Sequence, residues 1–333
     1  MKLITFLNDH GDEDVGVLLN DTQAIDLVTA FNWAHEQRAI PEPVQGFQAT
    51  SMNDFIRTQK QTIPATQGIL KLAREGKLPK GAIVELKGLN IQAPLPLPTS
   101  MRDGYAFRQH VEAARRNRGL PMIPEFDVFP VFYFTNHLSV TGPGDVKVRA
   151  KQLDKLDFEL EVAIVIGKEG RNIPASKADE YVFGYMIWND WSARTEQMEE
   201  MKMSLGPAKG KDFANSIGPW LVTKDELEPK KISGPNGDRY DLRMKAFLNG
   251  KQLSDGNLKD MTWTFAQIIE RASYGVTLRP GEIIGSGTVG TGCLLELNGS
   301  KVTDNLWVKP GDEVVLEVDG LGRLSNTIRA EAD

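Results

Sequence analysis

Asp157-Phe158-Glu159-Leu160-Glu161 sets three carboxylates on alternate positions, directly ahead of the apolar run Val162-Ala163-Ile164-Val165-Ile166. Alternate residues of a strand share a face, so Glu159 and Glu161 project together while Phe158, Leu160 and Val162 pack on the other side. At roughly 7 Å and an effective dielectric of about 20, two such charges repel by about 2 kcal/mol, a strain that a hard divalent cation relieves. The same pair also suits the wet face of an antiparallel sheet, where it would bind nothing.

Trp188-Asn189-Asp190-Trp191-Ser192-Ala193-Arg194 offers a further acid after a second apolar run. Two roles are open for Asp190: the N-cap of a following helix, or another oxygen ligand for a cation at Glu159 and Glu161. One turn of that helix brings Arg194 and Gln197 to one side, where a guanidinium and an amide can bind a carboxylate or carbonyl oxygen. Met101-Arg102-Asp103-Gly104-Tyr105-Ala106-Phe107-Arg108-Gln109-His110 joins an acid, a phenol and an imidazole. His110 is either a base or an ordinary surface histidine of a charged helix.

Other chemistries fall away on spacing. His10, His35, His110 and His137 make no H-E-x-x-H pair, which argues against a histidine-ligated zinc site. Residues 206–213 lack Walker spacing and read as a loop presenting Lys211. The glycine-rich stretch 285–292 fails the G-x-G-x-x-G test, being followed by what reads as a strand carrying Glu296, so no nucleotide cofactor is expected. It is either an approach loop beside a small ligand or a plain hairpin connector. Cys293, the single cysteine, reads as a small buried hydrophobe.

These residues need strands to carry them. Lys2 to Leu7 and Val15 to Leu19 read as strands and Val28 to Arg38 as a helix; a second helix over Ser51 to Arg74 should be divided or kinked by Pro64. Three alternating prolines at 94, 96 and 98 mark an extended connector, which separates a small β-rich N-terminal domain, 1–95, from a larger unit, 96–333. Beyond it, Tyr105 to Asn117 reads as a helix and Val128 to Phe134 as strand-like. Strands are expected at Phe158 to Ile166, Phe183 to Trp188, Trp220 to Val222, Arg243 to Leu248, Gly292 to Leu297 and Glu313 to Val318, with helices at Ala193 to Met201 and Trp263 to Ala272. Without regular βαβ alternation the class is α+β, mostly β.

With 333 residues and 41% hydrophobic content the chain can bury a substantial core. A net charge of -6, with no basic block beyond Arg115-Arg116-Asn117-Arg118, argues against nucleic acid as a partner. One cysteine excludes an internal disulfide and points to a reducing cytoplasm. No run approaches the length of a membrane span.

In combination these motifs resemble the fumarylacetoacetate hydrolase family. The resemblance covers most of the chain after Ser100: Asp103 with Tyr105 and His110, Glu159-Leu160-Glu161, Asn189 to Arg194 with Gln197, Gly210-Lys211, Ser286-Gly287-Thr288 and Leu295-Glu296-Leu297. It implies a mixed β-roll catalytic domain, preceded by the small domain of the family's long members and usually found as a homodimer. It further implies a divalent cation, magnesium, calcium or manganese, held by Asp103, Glu159, Glu161 and Asp190. His110 and Glu296 would be the catalytic pair, with Arg194, Gln197 and Lys211 stabilising negative charge and Tyr105, Arg118 and Tyr133 touching the substrate. The implied reaction is hydrolysis of a carbon-carbon bond in a β-diketo acid, foremost fumarylacetoacetate at the end of tyrosine breakdown; acylpyruvate hydrolase and oxaloacetate-type decarboxylase or isomerase are the alternatives. Asp157 matches no ligand position and is expected to support the strand or the ligands from behind. Two departures matter: Met198 to Ser204 lacks the aromatic and tyrosine of animal fumarylacetoacetases, and Asn215 replaces a small hydroxyl near a second cation site, so none is expected there.

Overall fold

The apolar run that follows the paired acids becomes the strand Leu160–Ile166, every residue of which is buried. It lies between Val182–Asp190 and Glu282–Gly285, with antiparallel neighbours on both edges. Even-numbered side chains, Leu160, Val162, Ile164 and Ile166, enter one apolar core, and Ala163 and Val165 enter a second on the opposite face. A strand covered on both faces needs a continuous apolar sequence, which this one has.

The computed structural model describes residues 1–332. Its larger sheet has 12 strands, running in space from Ile83–Glu85 through Gln23–Asp26, Glu13–Leu18 and Lys2–Leu7 to Asn215–Thr223. It continues through Val182–Asp190, Leu160–Ile166 and Glu282–Gly285 to Ser100–Gly104 and Phe132–Thr135. The N-terminal strands therefore extend the same sheet, joined where Lys2 pairs with Val222 and Leu3 with Leu221. A second sheet of 5 strands contains Arg243–Leu248, Glu313–Val318 and Gly322–Ala330. Parallel pairs occur in both sheets, so the α+β fold is a mixed β architecture with helices on its flanks.

Several local expectations change. The helix Gln59–Arg74 runs through Pro64, and the break falls earlier, at Thr58, whose hydroxyl donates to the Asp54 carbonyl at 2.7 Å and helps end Met52–Arg57. Residues 292–297 do not form a strand. The helix Leu294–Gly299 starts there because the Asp157 carboxylate accepts the Leu294 and Leu295 amides, at 2.7 and 2.9 Å. Asp190 is no helix cap: it ends the strand Val182–Asp190, and the following helix, Arg194–Met201, is preceded by Ala193 without a side-chain cap.

Candidate active site

The larger sheet delivers the four acids. Asp190 ends one strand, Glu161 lies on its neighbour, and Glu159 stands just before that neighbour begins. Asp103 sits two strands from Glu161, on Ser100–Gly104, with Glu282–Gly285 between them. Gly285 is opposite both Asp103 and Ala163. A Cβ at Gly285 would fall 2.4 Å from Asp103 Oδ1, so the missing side chain leaves the gap through which Asp103 reaches across. Gly287, at φ +74°, then turns the chain so that its amide donates to Asp103 at 3.1 Å.

One ligand oxygen from each of Asp103, Glu159, Glu161 and Asp190 lies within 4.8 Å of the others, and all four residues are buried. The burial of Glu159 and Glu161 excludes the wet-face alternative. Lys211 Nζ donates to Glu159, and to Asp190 at 2.8 Å. Tyr133 donates its hydroxyl to Asp190 at 2.6 Å. The Arg194 guanidinium bridges Asp157 and Glu159, at 2.7 and 2.8 Å, and donates to Gln197 at 3.0 Å.

Charge within the cluster is unevenly distributed. Burial would raise Glu159, but the Lys211 ammonium and the Arg194 guanidinium outweigh it and hold the carboxyl at about 2. Burial, with the charge of Asp190 beside it, lifts Asp103 to about 8. Burial and then Asp103 push Glu161 well above the carboxylate range. Glu161 Oε2 and Asp190 Oδ1 are buried with no hydrogen-bond partner among the described residues. An all-oxygen donor set with two orphaned acceptors fits a hard divalent cation such as magnesium, calcium or manganese.

His110 is held on the helix Arg108–Arg116, its Nδ1 2.7 Å from Glu296 Oε2. The other Glu296 oxygen accepts the Thr291 amide at 2.9 Å. Tyr105 stands edge-on to the His110 ring at 5.8 Å, and burial raises its hydroxyl to about 12, so it remains a donor. A cavity of about 740 Å³ opens over these groups. It is lined by Asp103, Tyr105, His110, Arg118, Tyr133, Glu159, Arg194, Gln197 and Lys211, while Glu161, Asp190 and Glu296 stand behind that wall. Arg118 is an exposed residue whose Nε donates to the Ala114 carbonyl at 2.9 Å.

One alternative that the sequence left open is settled, and two further features had little or no signal in it. Thr288 lines the cavity and its hydroxyl donates to Glu161 at 3.2 Å, so the glycine-rich stretch is an approach loop and no hairpin connector. Met198, Met201, Val131 and Trp307 form an apolar side of the cavity, contributed by distant segments. Glu200 accepts the Ala208, Lys209 and Gly210 amides, at 2.8, 2.7 and 3.2 Å, and so folds the loop that presents Lys211.

A cation must expel the protons that Asp103 and Glu161 carry, so affinity should rise with pH. Without a cation, the folded-state pKa of Asp103 exceeds its unfolded value. Its contribution to stability is therefore full below about 4 and lost as pH rises through about 8. The thermal shift produced by magnesium or manganese should consequently grow between about pH 6 and about pH 9. A shift that stays flat or shrinks across that range would contradict the protonated pair.

Four buried carboxylates beside a histidine–carboxylate pair, under a cavity of substrate size, define the class: a site equipped for cation-assisted acid–base chemistry. The family profile of the fumarylacetoacetate (FAA) hydrolase C-terminal domain matches residues 99–329, and the chain belongs to the fumarylacetoacetate hydrolase family. Its relatives include hydrolases and isomerases or tautomerases. Oxaloacetate tautomerase YisK of Bacillus subtilis is 29% identical over 324 residues, 94% of this chain and 95% of its own. The fumarylacetoacetase of Bos taurus is 35% identical over 268 residues, 64% of each chain. Among solved structures, maleylpyruvate hydrolase from Sphingobium sp. SYK-6, in complex with manganese (II) ion and pyruvate, shares the fold with a TM-score of 0.67 at 23% identity, covering 100% of both chains. No helix among the described residues is long and apolar enough to cross a membrane.

Proposed function

We propose that the protein hydrolyses a carbon-carbon bond in a β-diketo acid, with fumarylacetoacetate, giving fumarate and acetoacetate, as the foremost substrate. The observation that carries this reading is the His110–Glu296 pair, 2.7 Å apart, at the wall of the cavity that also exposes Asp103 and Glu159. Glu296 holds Nδ1 and leaves Nε2 as the nitrogen that takes a proton from water. A divalent cation held by Asp103, Glu159, Glu161 and Asp190 would polarise the diketone oxygens and favour the enolate form of the leaving group. His110 removes the water proton as the water oxygen bonds to the carbonyl carbon. The carbon-carbon bond then breaks, its electron pair leaves with the departing fragment, and a proton returns to that carbon. Lys211, Gln197 and Arg194 line the same cavity and offer N–H donors where negative charge grows. Tyr105, Arg118 and Tyr133 would orient the substrate. Met198, Met201, Val131 and Trp307 would receive its carbon chain.

A second reading, enol–keto tautomerisation of an oxo acid, has one specific support: the tautomerase relative aligns over 94% of the chain, the bovine fumarylacetoacetase over 64%. It needs a proton carrier but no attacking water. Chromatography of products from fumarylacetoacetate, acetopyruvate and freshly dissolved enol-oxaloacetate separates the two. Cleavage of either diketo acid into two acids is the expected result. Accelerated ketonisation of oxaloacetate with both diketo acids intact would replace it with the second reading.

A further inference from the structure

We infer that Asp157 is a positioning residue that sets the His110–Glu296 pair against the four-carboxylate cluster. This rests on the acid–base reading above. Asp157 is fully buried, yet it is no member of the ligand cluster and does not line the cavity. Its Oδ1 accepts the Leu294 amide at 2.7 Å; its Oδ2 accepts the Leu295 amide at 2.9 Å and Arg194 Nε at 2.8 Å. Leu294 and Leu295 open the helix whose next residue is Glu296. Cys293, at the cap position, makes no side-chain cap hydrogen bond, and the Leu294 and Leu295 amides are gathered instead by Asp157, which stands 137 residues before Leu294.

The helix is only 6 residues long and has little rigidity of its own. Its direction, and hence the place of Glu296, follows from the carboxylate that gathers its first amides. Through Arg194, whose guanidinium also reaches Glu159, the same carboxylate is tied to the cation ligands. One side chain thus spans the two halves of the site: the base with its partner, and the acids. An asparagine in this place keeps one acceptor oxygen, but its amide turns a donor toward the Leu295 amide or Arg194, both donors themselves.

The test is a double-mutant cycle of Asp157→Asn with Glu296→Gln, measured as kcat, KM and cation dissociation constant on the substrate that the wild type turns over. Alone, Asp157→Asn should lower kcat by about 30-fold with KM and cation affinity changed less than about threefold; in the Glu296→Gln background it should cost less than about threefold in kcat. Equal losses in both backgrounds, or a loss confined to KM or cation affinity, would overturn the inference. A second readout needs no turnover: the downfield proton resonance of His110 Nδ1–H, held by Glu296, should weaken or vanish in Asp157→Asn and persist if Asp157 does not position the pair. A wild type inactive on every oxo acid tried would refute the functional reading while this resonance still decides the role of Asp157. Where the asparagine variant does not fold, Asp157→Ser, which keeps one acceptor, takes its place. Failure of both to fold with cation present assigns Asp157 to the scaffold and overturns the inference.

Discussion

Replacing His110 by alanine is expected to lower kcat about a thousandfold while leaving KM within a few-fold. The ring is buried, fixed by Glu296 through Nδ1 and flanked edge-on by Tyr105, so no neighbouring group is free to assume its role. The other basic side chains at the cavity floor are already engaged. Lys211 is ion-paired with Glu159 and Asp190, which raise its pKa against the opposing effect of burial and keep it a cation. Arg194 is held by Asp157 and Glu159. Neither can accept a proton from water. Cation binding should be untouched, because His110 is not part of the four-acid cluster. Steady-state kinetics that returned a kcat within about tenfold of the wild type would remove His110 as the base.

Glu161→Gln should have the second large effect, one that separates cation affinity from stability. Glu161 is fully buried, and its Oε2 has no hydrogen-bond partner among the described residues. Burial and the adjacent Asp103 already make its charged form unfavourable. Without a cation Glu161 is already neutral, so an amide of the same shape leaves the charge of the cluster unchanged, and the cation-free variant should melt within a few degrees of the wild type. The amide also removes one anionic oxygen from the ligand set, which should weaken cation affinity by about a hundredfold or more. Calorimetric titration with magnesium or manganese reads the affinity, and thermal melting reads the stability. Unchanged affinity would mean that the strand's acids serve only one another.

Much of the sheet was legible from periodicity. Arg243–Leu248 and Glu313–Val318 have the bounds their apolar patterns indicate, and the run after Glu161 is the strand that its apolar sequence suggests. Features that depend on distant partners were not. Gly292 to Leu297 reads locally as a strand, whereas Leu294–Gly299 is a helix whose cap, Asp157, lies in another part of the chain. Asp190 resembles a helix cap in sequence, and only the sheet register shows that it closes a strand beside Glu159 and Glu161.

The candidate site divides along similar lines. Spacing alone put Glu159 and Glu161 on one face and left their solvent exposure open. Asp190 was one of two open readings of its segment, while the convergence of Asp103 on the cluster came from resemblance, since no local rule predicts that Gly285 leaves a gap across an intervening strand. The glycine-rich stretch carried a signal of close approach, which Gly287 and Thr288 fulfil at Asp103 and Glu161. Asp157 shared the alternation of its neighbours, and its hydrogen bonds to Leu294, Leu295 and Arg194 give it a different task.

The central claim, that a divalent cation in the four-carboxylate cluster and the His110–Glu296 pair together cleave a diketo acid, meets its most direct test in one assay. Loss of the near-ultraviolet absorbance of fumarylacetoacetate would be followed with the protein as purified, after exhaustive chelation, and after return of magnesium, manganese or calcium. The predicted result is turnover that chelation abolishes and at least one of these cations restores. Turnover that continues undiminished in the chelated protein would contradict the account.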